Sequence, residues 1–248
     1  MVKLLISDVD GTLLLPGQSR VSETLMRSLS ALISSGKQVA IASGRTYYSL
    51  KMLFGEISES AYFIPCDGAL CIKNGRILYQ RPISAENIRR ALSVARENGL
   101  ALHLAAADHG YAFGGEELEA RLTEEHADDI TPITALSEIR APIYKLAFYG
   151  KKPNFTTVPA DLRRSYHGNG WCEYVYRFTD KGTALSDLQS RLYLAKYDTA
   201  AIGDGANDLT MLKGAKYAYA LSERLAAEVG ASLYPSAEQA LRAVLAAE

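Results

Sequence analysis

Apart from Lys3, the segment Val2-Lys3-Leu4-Leu5-Ile6 is apolar, and it runs directly into Ser7-Asp8-Val9-Asp10-Gly11. A run without polar alternation suits a strand buried on both faces, which in soluble proteins means a parallel sheet covered by helices. Two acids at its end put charge where open parallel sheets bind ligands, outside the carboxyl ends of the strands. Alternate strand residues face the same way, so Asp8 and Asp10 project together while Val9 turns to the core.

The alternation continues beyond this strand. Val21 to Ser34 reads as a helix, with Ser22 as N-cap, Leu25, Leu29, Leu32 and Ile33 on one face, and Gly36 as the stop. Gln38 to Ala42 reads as a second strand, Ala61 to Pro65 as a third, and Asn74-Gly75 between short apolar runs as a hairpin turn. From Pro82 to Phe178 the character shifts to α+β: Ala85 to Glu97 and Glu116 to His126 helical, His103 to Phe113 and Ile143 to Tyr149 strand-like. Trp171, Tyr174, Tyr176 and Phe178 read as core aromatics. After Lys181 the core pattern resumes, with strands at Asp198 to Ile202 and Tyr217 to Leu221 and a closing helix at Ala237 to Leu245. The expected fold class is α/β, a Rossmann-like parallel sheet formed by 1–81 and 179–248, interrupted by an inserted domain at 82–178.

Paired carboxylates repel each other unless a cation neutralises them or one holds a proton. Hard oxygen ligands and few histidines favour magnesium over zinc. A calcium loop starting at Asp8 would need an acidic ligand at its twelfth position, which is Ser19, so that reading fails. Ile202-Gly203-Asp204-Gly205-Ala206-Asn207-Asp208 brings two more acids to a strand end; Asp204 suits a metal shell, Asp208 the metal or its waters, and Asn207 an anion. A helix-capping loop is the alternative reading. Ser43-Gly44-Arg45 offers a hydroxyl and N–H groups at a helix start, and Lys181 in Asp180-Lys181-Gly182-Thr183 offers the point charge that phosphoryl transfer needs. Each piece alone is also a turn or a surface lysine. Their joint placement at strand ends and helix starts points to one phosphate site.

In this ordered set the chain resembles the haloacid dehalogenase (HAD) superfamily, in particular its Cof-like branch of small-molecule phosphatases with a large C2-type cap. The first motif resembles Asp8-Val9-Asp10-Gly11-Thr12-Leu13, the second Ser43, the third Lys181, and the fourth Gly203-Asp204-Gly205-Ala206-Asn207-Asp208. The resemblance implies a phosphatase of small metabolites, sugar phosphates foremost. It implies Asp8 as nucleophile forming an aspartyl-phosphate and Asp10 as the acid and base. Magnesium would be held by Asp8, the Asp10 carbonyl and Asp204 with Asp208 in support, and phosphate by Ser43, Gly44 and Lys181. Two positions depart from the branch: Asp67-Gly68 stands where Asn-Gly is usual, and Ala220-Leu221-Ser222 where Gly-Asn-Ala is expected. A sugar phosphomutase of the same fold and a phosphometabolite-binding module without turnover are the rival readings.

Charge supports a local anion site over a global one. The 27 Lys and Arg nearly balance the 28 Asp and Glu, which argues against nucleic acid or an anionic membrane as partner. No apolar run approaches the ~20 residues that cross a bilayer, and the first run is short for a signal-peptide core, so a cytoplasmic protein is expected. Cys66, Cys71 and Cys172 form no C-x-x-C pair and read as buried thiols of a reducing compartment.

Overall fold

The computed structural model describes residues 1–115, 118, 129–155, 157–168 and 170–246. In chain order its strands are β1 (Leu4–Ser7), β2 (Gln38–Ala42), β3 (Tyr62–Ile64), β4 (Leu70–Lys73), β5 (Arg76–Gln80), β6 (Ala101–Ala105), β7 (Gly110–Phe113), β8 (Ile130–Pro132), β9 (Lys145–Tyr149), β10 (Leu162–Gly168), β11 (Trp171–Tyr176), β12 (Thr199–Gly203), β13 (Tyr217–Ala220) and β14 (Ser232–Leu233). They form two sheets, one in each of two compact units. The first unit comprises Met1–Gly44, Lys51–Tyr79 and Asp180–Glu248; the second comprises Arg45–Leu50 and Gln80–Thr179.

In the first unit the sheet order is β14-β13-β12-β1-β2-β3-β4-β5. Pairing is parallel from β14 through β3 and turns antiparallel at β3 and β4. One face, including Leu4, Ile6, Ala40, Ala42, Ile64 and Ala201, packs on Ala184, Leu185 and Leu188 of the helix Lys181–Leu192 and on Met211 and Leu212. The other face is buried as well, with Leu5, Val39, Ile41 and Ile202 fully inaccessible. This double burial is why these strands read as apolar runs without alternation. The helix Glu23–Ser34 starts at Ser22, whose side chain accepts from the Leu25 N–H, as expected. Asn74 and Gly75, with φ of 47° and 69°, close the β4–β5 hairpin; two successive left-handed residues are what a type I′ turn requires.

The second unit holds a sheet of order β10-β11-β9-β6-β7-β8. The helix Ala85–Asn98 lays Ile88, Ala91, Leu92 and Ala95 on Leu102, Leu104, Leu146, Phe148, Cys172 and Tyr174. Tyr48 of the Arg45–Leu50 segment donates its N–H to the Ala107 carbonyl.

Two sequence expectations are corrected here. His103 to Phe113 is a hairpin and not one strand: β6 and β7 pair antiparallel, with Ala105 opposite Gly110. Phe178 is 59% exposed, lying past the end of β11 beside Tyr176 and Arg177, so only part of the aromatic group is core, Tyr174 being fully buried. Of the expected helix at Glu116 to His126 only Leu118 is described, helical and buried with Ala112, Ala147 and Tyr149; the rest lies outside the described residues. All three cysteines are free and buried. No helix among the described residues is long and apolar enough to cross a membrane.

Candidate active site

Parallel pairing sets the strand ends of the first unit level. Ser7 stands opposite both Ile41 and Ile202, so the chain leaves β1 at Asp8, β2 at Ser43 and β12 at Asp204 along one edge of the sheet. The Asp8 N–H still donates to the Ile202 carbonyl at 3.0 Å, which holds Asp8 at the last rung of the ladder. Immediately afterwards the backbone turns: Thr12 and Leu14 donate to the Val9 carbonyl, and Gly11 donates to Leu14. Gly11 has φ 87°, and a Cβ on it would lie 2.3 Å from Asp204 Oδ2. Glycine is therefore required by conformation and by the close approach of that carboxylate.

Lys181 is the first residue of its helix, which Asp180 caps through the Thr183 N–H at 2.7 Å. Its side chain is 1% exposed. Nζ donates to Asp8 Oδ1 and, at 2.6 Å, to Asp208 Oδ1. The other oxygen of Asp208 accepts from the N–H groups of Asp204 at 3.1 Å and Gly205 at 3.0 Å. Asp208 thus braces both the lysine and the Gly203–Asp208 loop. Asp204 in turn accepts from the Thr12 hydroxyl at 2.8 Å through Oδ1, and its carbonyl accepts from the Ser222 hydroxyl at 2.9 Å.

Asp10 differs from Asp8 in its surroundings. Asp8 is buried and Asp10 exposed, with the Ser43 hydroxyl donating to Asp10 Oδ2 at 3.4 Å. Gly44 follows Ser43 at partial exposure. Asn207 is exposed, its Oδ1 folded over Gly205.

Asp8, Asp204 and Asp208 each present an oxygen within 4.8 Å of the other two. The oxygens around a six-coordinate magnesium span about 4 Å across the ion, so modest side-chain adjustment seats one. Three carboxylates against one ammonium leave a formal charge of −2, the complement of a divalent cation. The electrostatics agree. Burial pushes the Asp8 carboxyl well above the usual carboxylate range; Lys181 pulls it down, and Asp208 and Asp204 raise it further. Burial works against the charge on Lys181, but the flanking Asp8 and Asp208 override it and hold the ammonium above the usual lysine range. An all-oxygen donor set with excess negative charge fits magnesium, and a cation there would keep Asp8 ionised.

A family model of haloacid dehalogenase-like hydrolases matches residues 5–225. The chain belongs to that family. The HAD chain is 23% identical to the 5-amino-6-(5-phospho-D-ribitylamino)uracil phosphatase YbjI of Escherichia coli K12, over 94% of its own length and 90% of that protein's. Its fold matches a crystal structure of a protein from Eubacterium rectale with a TM-score of 0.87 at 22% identity, covering 98% of this chain and 99% of that one. It also matches the HAD subclass IIB sugar phosphatase BT4131 with a TM-score of 0.80 at 15% identity, covering 98% and 99%. The enzyme class is phosphoric monoester hydrolase.

The structure brings together Asp8, Lys181, Asp204 and Asp208, and sets Asp10 beside Ser43. Sequence reasoning missed Thr12 and Ser222 as partners of Asp204. Thr12 had a local signal, a hydroxyl directly after the Gly11 turn. Ser222 had none, because its place depends on β13 running parallel to β12, with Ala220 opposite Gly203.

Proposed function

We propose that this HAD hydrolase is a magnesium-dependent phosphatase of small phosphorylated metabolites, sugar phosphates foremost, acting through an aspartyl-phosphate on Asp8. The observation that carries the reading is the buried Asp8–Lys181–Asp208 linkage at the end of β1, next to an exposed Asp10. The Asp8 carboxylate attacks phosphorus, and the bond to the leaving oxygen breaks as Asp10 gives that oxygen its proton. Asp10, now ionised, takes a proton from the water that attacks the aspartyl-phosphate, which frees orthophosphate and regenerates the Asp8 carboxylate. The exposure of Asp10 suits a group that trades protons with an alcohol and then with water. The Ser43 hydroxyl, the Gly44 N–H, Asn207 and the Lys181 ammonium hold the phosphoryl oxygens.

Asp8, the Asp10 carbonyl and Asp204 would hold magnesium, with Asp208 orienting the shell. The ion would supply charge neutralisation of the phosphoryl oxygens and of the paired acids. The catalytic domain in this proposal is 1–81 with 179–248, and the cap is 82–178. A cytoplasmic location goes with it, since three free buried thiols suit a reducing compartment. Sugar phosphates are favoured because BT4131 is a sugar phosphatase and YbjI a phosphatase of a phosphoribitylamino compound.

The test is phosphate release with magnesium from a panel of sugar phosphates, phosphorylated cofactors and a generic aryl phosphate. Wild type is expected to turn over, EDTA to stop it, and Asp8→Asn to abolish it together with the acid-stable trapping of radiolabelled phosphate on the protein. Full activity in Asp8→Asn would refute the mechanism. A sugar-phosphate isomer formed without free phosphate would instead assign a mutase.

A further inference from the structure

We propose that the buried turn Cys66-Asp67-Gly68 is a positioning element that sets Ser43 and Lys181 at the spacing one phosphoryl group requires; this rests on the phosphatase reading of the site. Three successive residues of the turn are left-handed, with φ of 51°, 58° and 99°. Two of them are not glycine and all three are buried. L side chains resist this conformation, so such a run persists only where its surroundings over-determine it.

Those surroundings are the two phosphate-holding elements. On one side the Asp67 N–H donates to the Ser43 carbonyl at 2.9 Å, while the Ser43 N–H donates to Ile64 at 3.0 Å. Both backbone groups of Ser43 are therefore taken up by β3 and the turn that follows it. On the other side Gly68 lies against the start of the Lys181 helix. A Cβ on Gly68 would stand 2.5 Å from the Asp180 carbonyl oxygen and 3.1 Å from the Ala184 Cβ. That carbonyl has no freedom to retreat. It accepts from the Ala184 N–H at 3.0 Å and from the Thr183 hydroxyl at 2.9 Å, and Gly182 beyond it donates to the Thr210 hydroxyl at 3.2 Å. The Tyr79 hydroxyl donates to the Gly68 carbonyl at 3.4 Å and holds the turn from its outer side.

Ser43 is placed by strand pairing, but Lys181 opens a helix that belongs to no strand. Asp8 and Asp10 reach the two side chains, while the turn meets the backbone of both elements. Its left-handed backbone aims the Asp67 N–H at one element and presents a Cβ-free surface to the other. Its job is to keep hydroxyl and ammonium converging on one anion, a geometry in which small displacements cost rate.

The test reads anion affinity apart from metal affinity. Gly68→Ala should weaken competitive inhibition by orthophosphate at least 10-fold and lower kcat on an aryl phosphate at least 10-fold, with Mn2+ affinity by electron paramagnetic resonance within 2-fold of wild type. Asp67→Asn and Asp67→Val lose the same charge but differ in tolerance of the left-handed region. Asp67→Asn should bind orthophosphate at least 5-fold more tightly than Asp67→Val, and this pair decides the matter if Gly68→Ala does not fold. Equal orthophosphate affinity in that pair, a folded Gly68→Ala with wild-type inhibition, or parallel loss of Mn2+ binding would each overturn the proposal. Wild-type protein that neither releases nor binds phosphate would instead remove the phosphatase reading, and the proposal with it.

Discussion

Replacing Lys181 with methionine tests whether the buried charges of the site depend on one another. The substitution keeps the length of the side chain and deletes the ammonium that Asp8 and Asp208 share. Both carboxylates are within 6% of full side-chain burial, so neither can recover hydration by a small movement. Breaking a buried ion pair from one side costs about 3–5 kcal/mol, because the remaining charge is left uncompensated. At about 2–4 °C per kcal/mol for a chain of this size, the melting point should fall by roughly 6–20 °C in EDTA. The pH dependence separates charge from packing. The folded Asp8 carboxyl sits above its unfolded value, so its contribution to stability is complete below the unfolded pKa of about 3.9 and is lost as pH rises through the raised folded value. Lys181, also raised, stays charged across this window and adds no slope of its own. The deficit of Lys181→Met should therefore be largest near pH 8 and shrink as Asp8 takes up a proton on acidification. Hydrogen exchange at β1 and β12 reads the first unit, while the fluorescence of Trp171, the single tryptophan, reads the second. Adding Asp208→Asn should recover part of the loss as a coupling energy. A deficit that is the same at pH 5 and pH 8, or no deficit at all, would refute the reasoning.

Two smaller perturbations follow from the same geometry. Thr12→Val removes the hydroxyl that donates to Asp204 Oδ1 with little change of shape. A hydrogen bond to a charged group is worth about 1.5–3 kcal/mol, so Mn2+ affinity by calorimetry should weaken about 10-fold or more; an affinity within 2-fold of wild type would contradict the role given to Thr12. Burial pushes the Cys71 thiol up to about 12 and raises Cys172 as well, so an aromatic disulfide reagent at pH 8 should label no thiol rapidly in folded protein and all three after denaturation. Fast labelling of Cys71 in the native state would show that its surroundings are misread.

The parallel core was legible because its strands are buried on both faces, and such strands cannot hide among alternating ones. The Ser22 cap was legible for a local reason: its side chain accepts from the N–H group three residues ahead, a relation written wholly in nearby sequence. The hairpin of β6 and β7 was not: the apolar run Leu104 to Ala107 carries on past the end of β6, and Asp108-His109-Gly110 supplies turn residues without the Asn-Gly pair that marks a two-residue hairpin loop. Phe178 misled for a related reason. Aromaticity favours burial, but burial at the end of β11 depends on what the chain meets there.

Sequence by itself determined the list of candidate groups, since Asp8, Asp10, Ser43, Lys181, Asp204 and Asp208 are each announced by a strand end or a helix start, and such signals are local. Tertiary structure alone decided how those groups share their charges. Lys181 joins Asp8 to Asp208, Asp208 also holds the Asp204 loop, and Thr12 holds the Asp204 carboxylate while Ser222 holds its carbonyl. These bonds span separations of up to 192 residues; the register of parallel strands brings the ends of β1 and β12 level, the packing of the Lys181–Leu192 helix on the sheet brings Lys181 to them, and no short stretch of sequence encodes either relation.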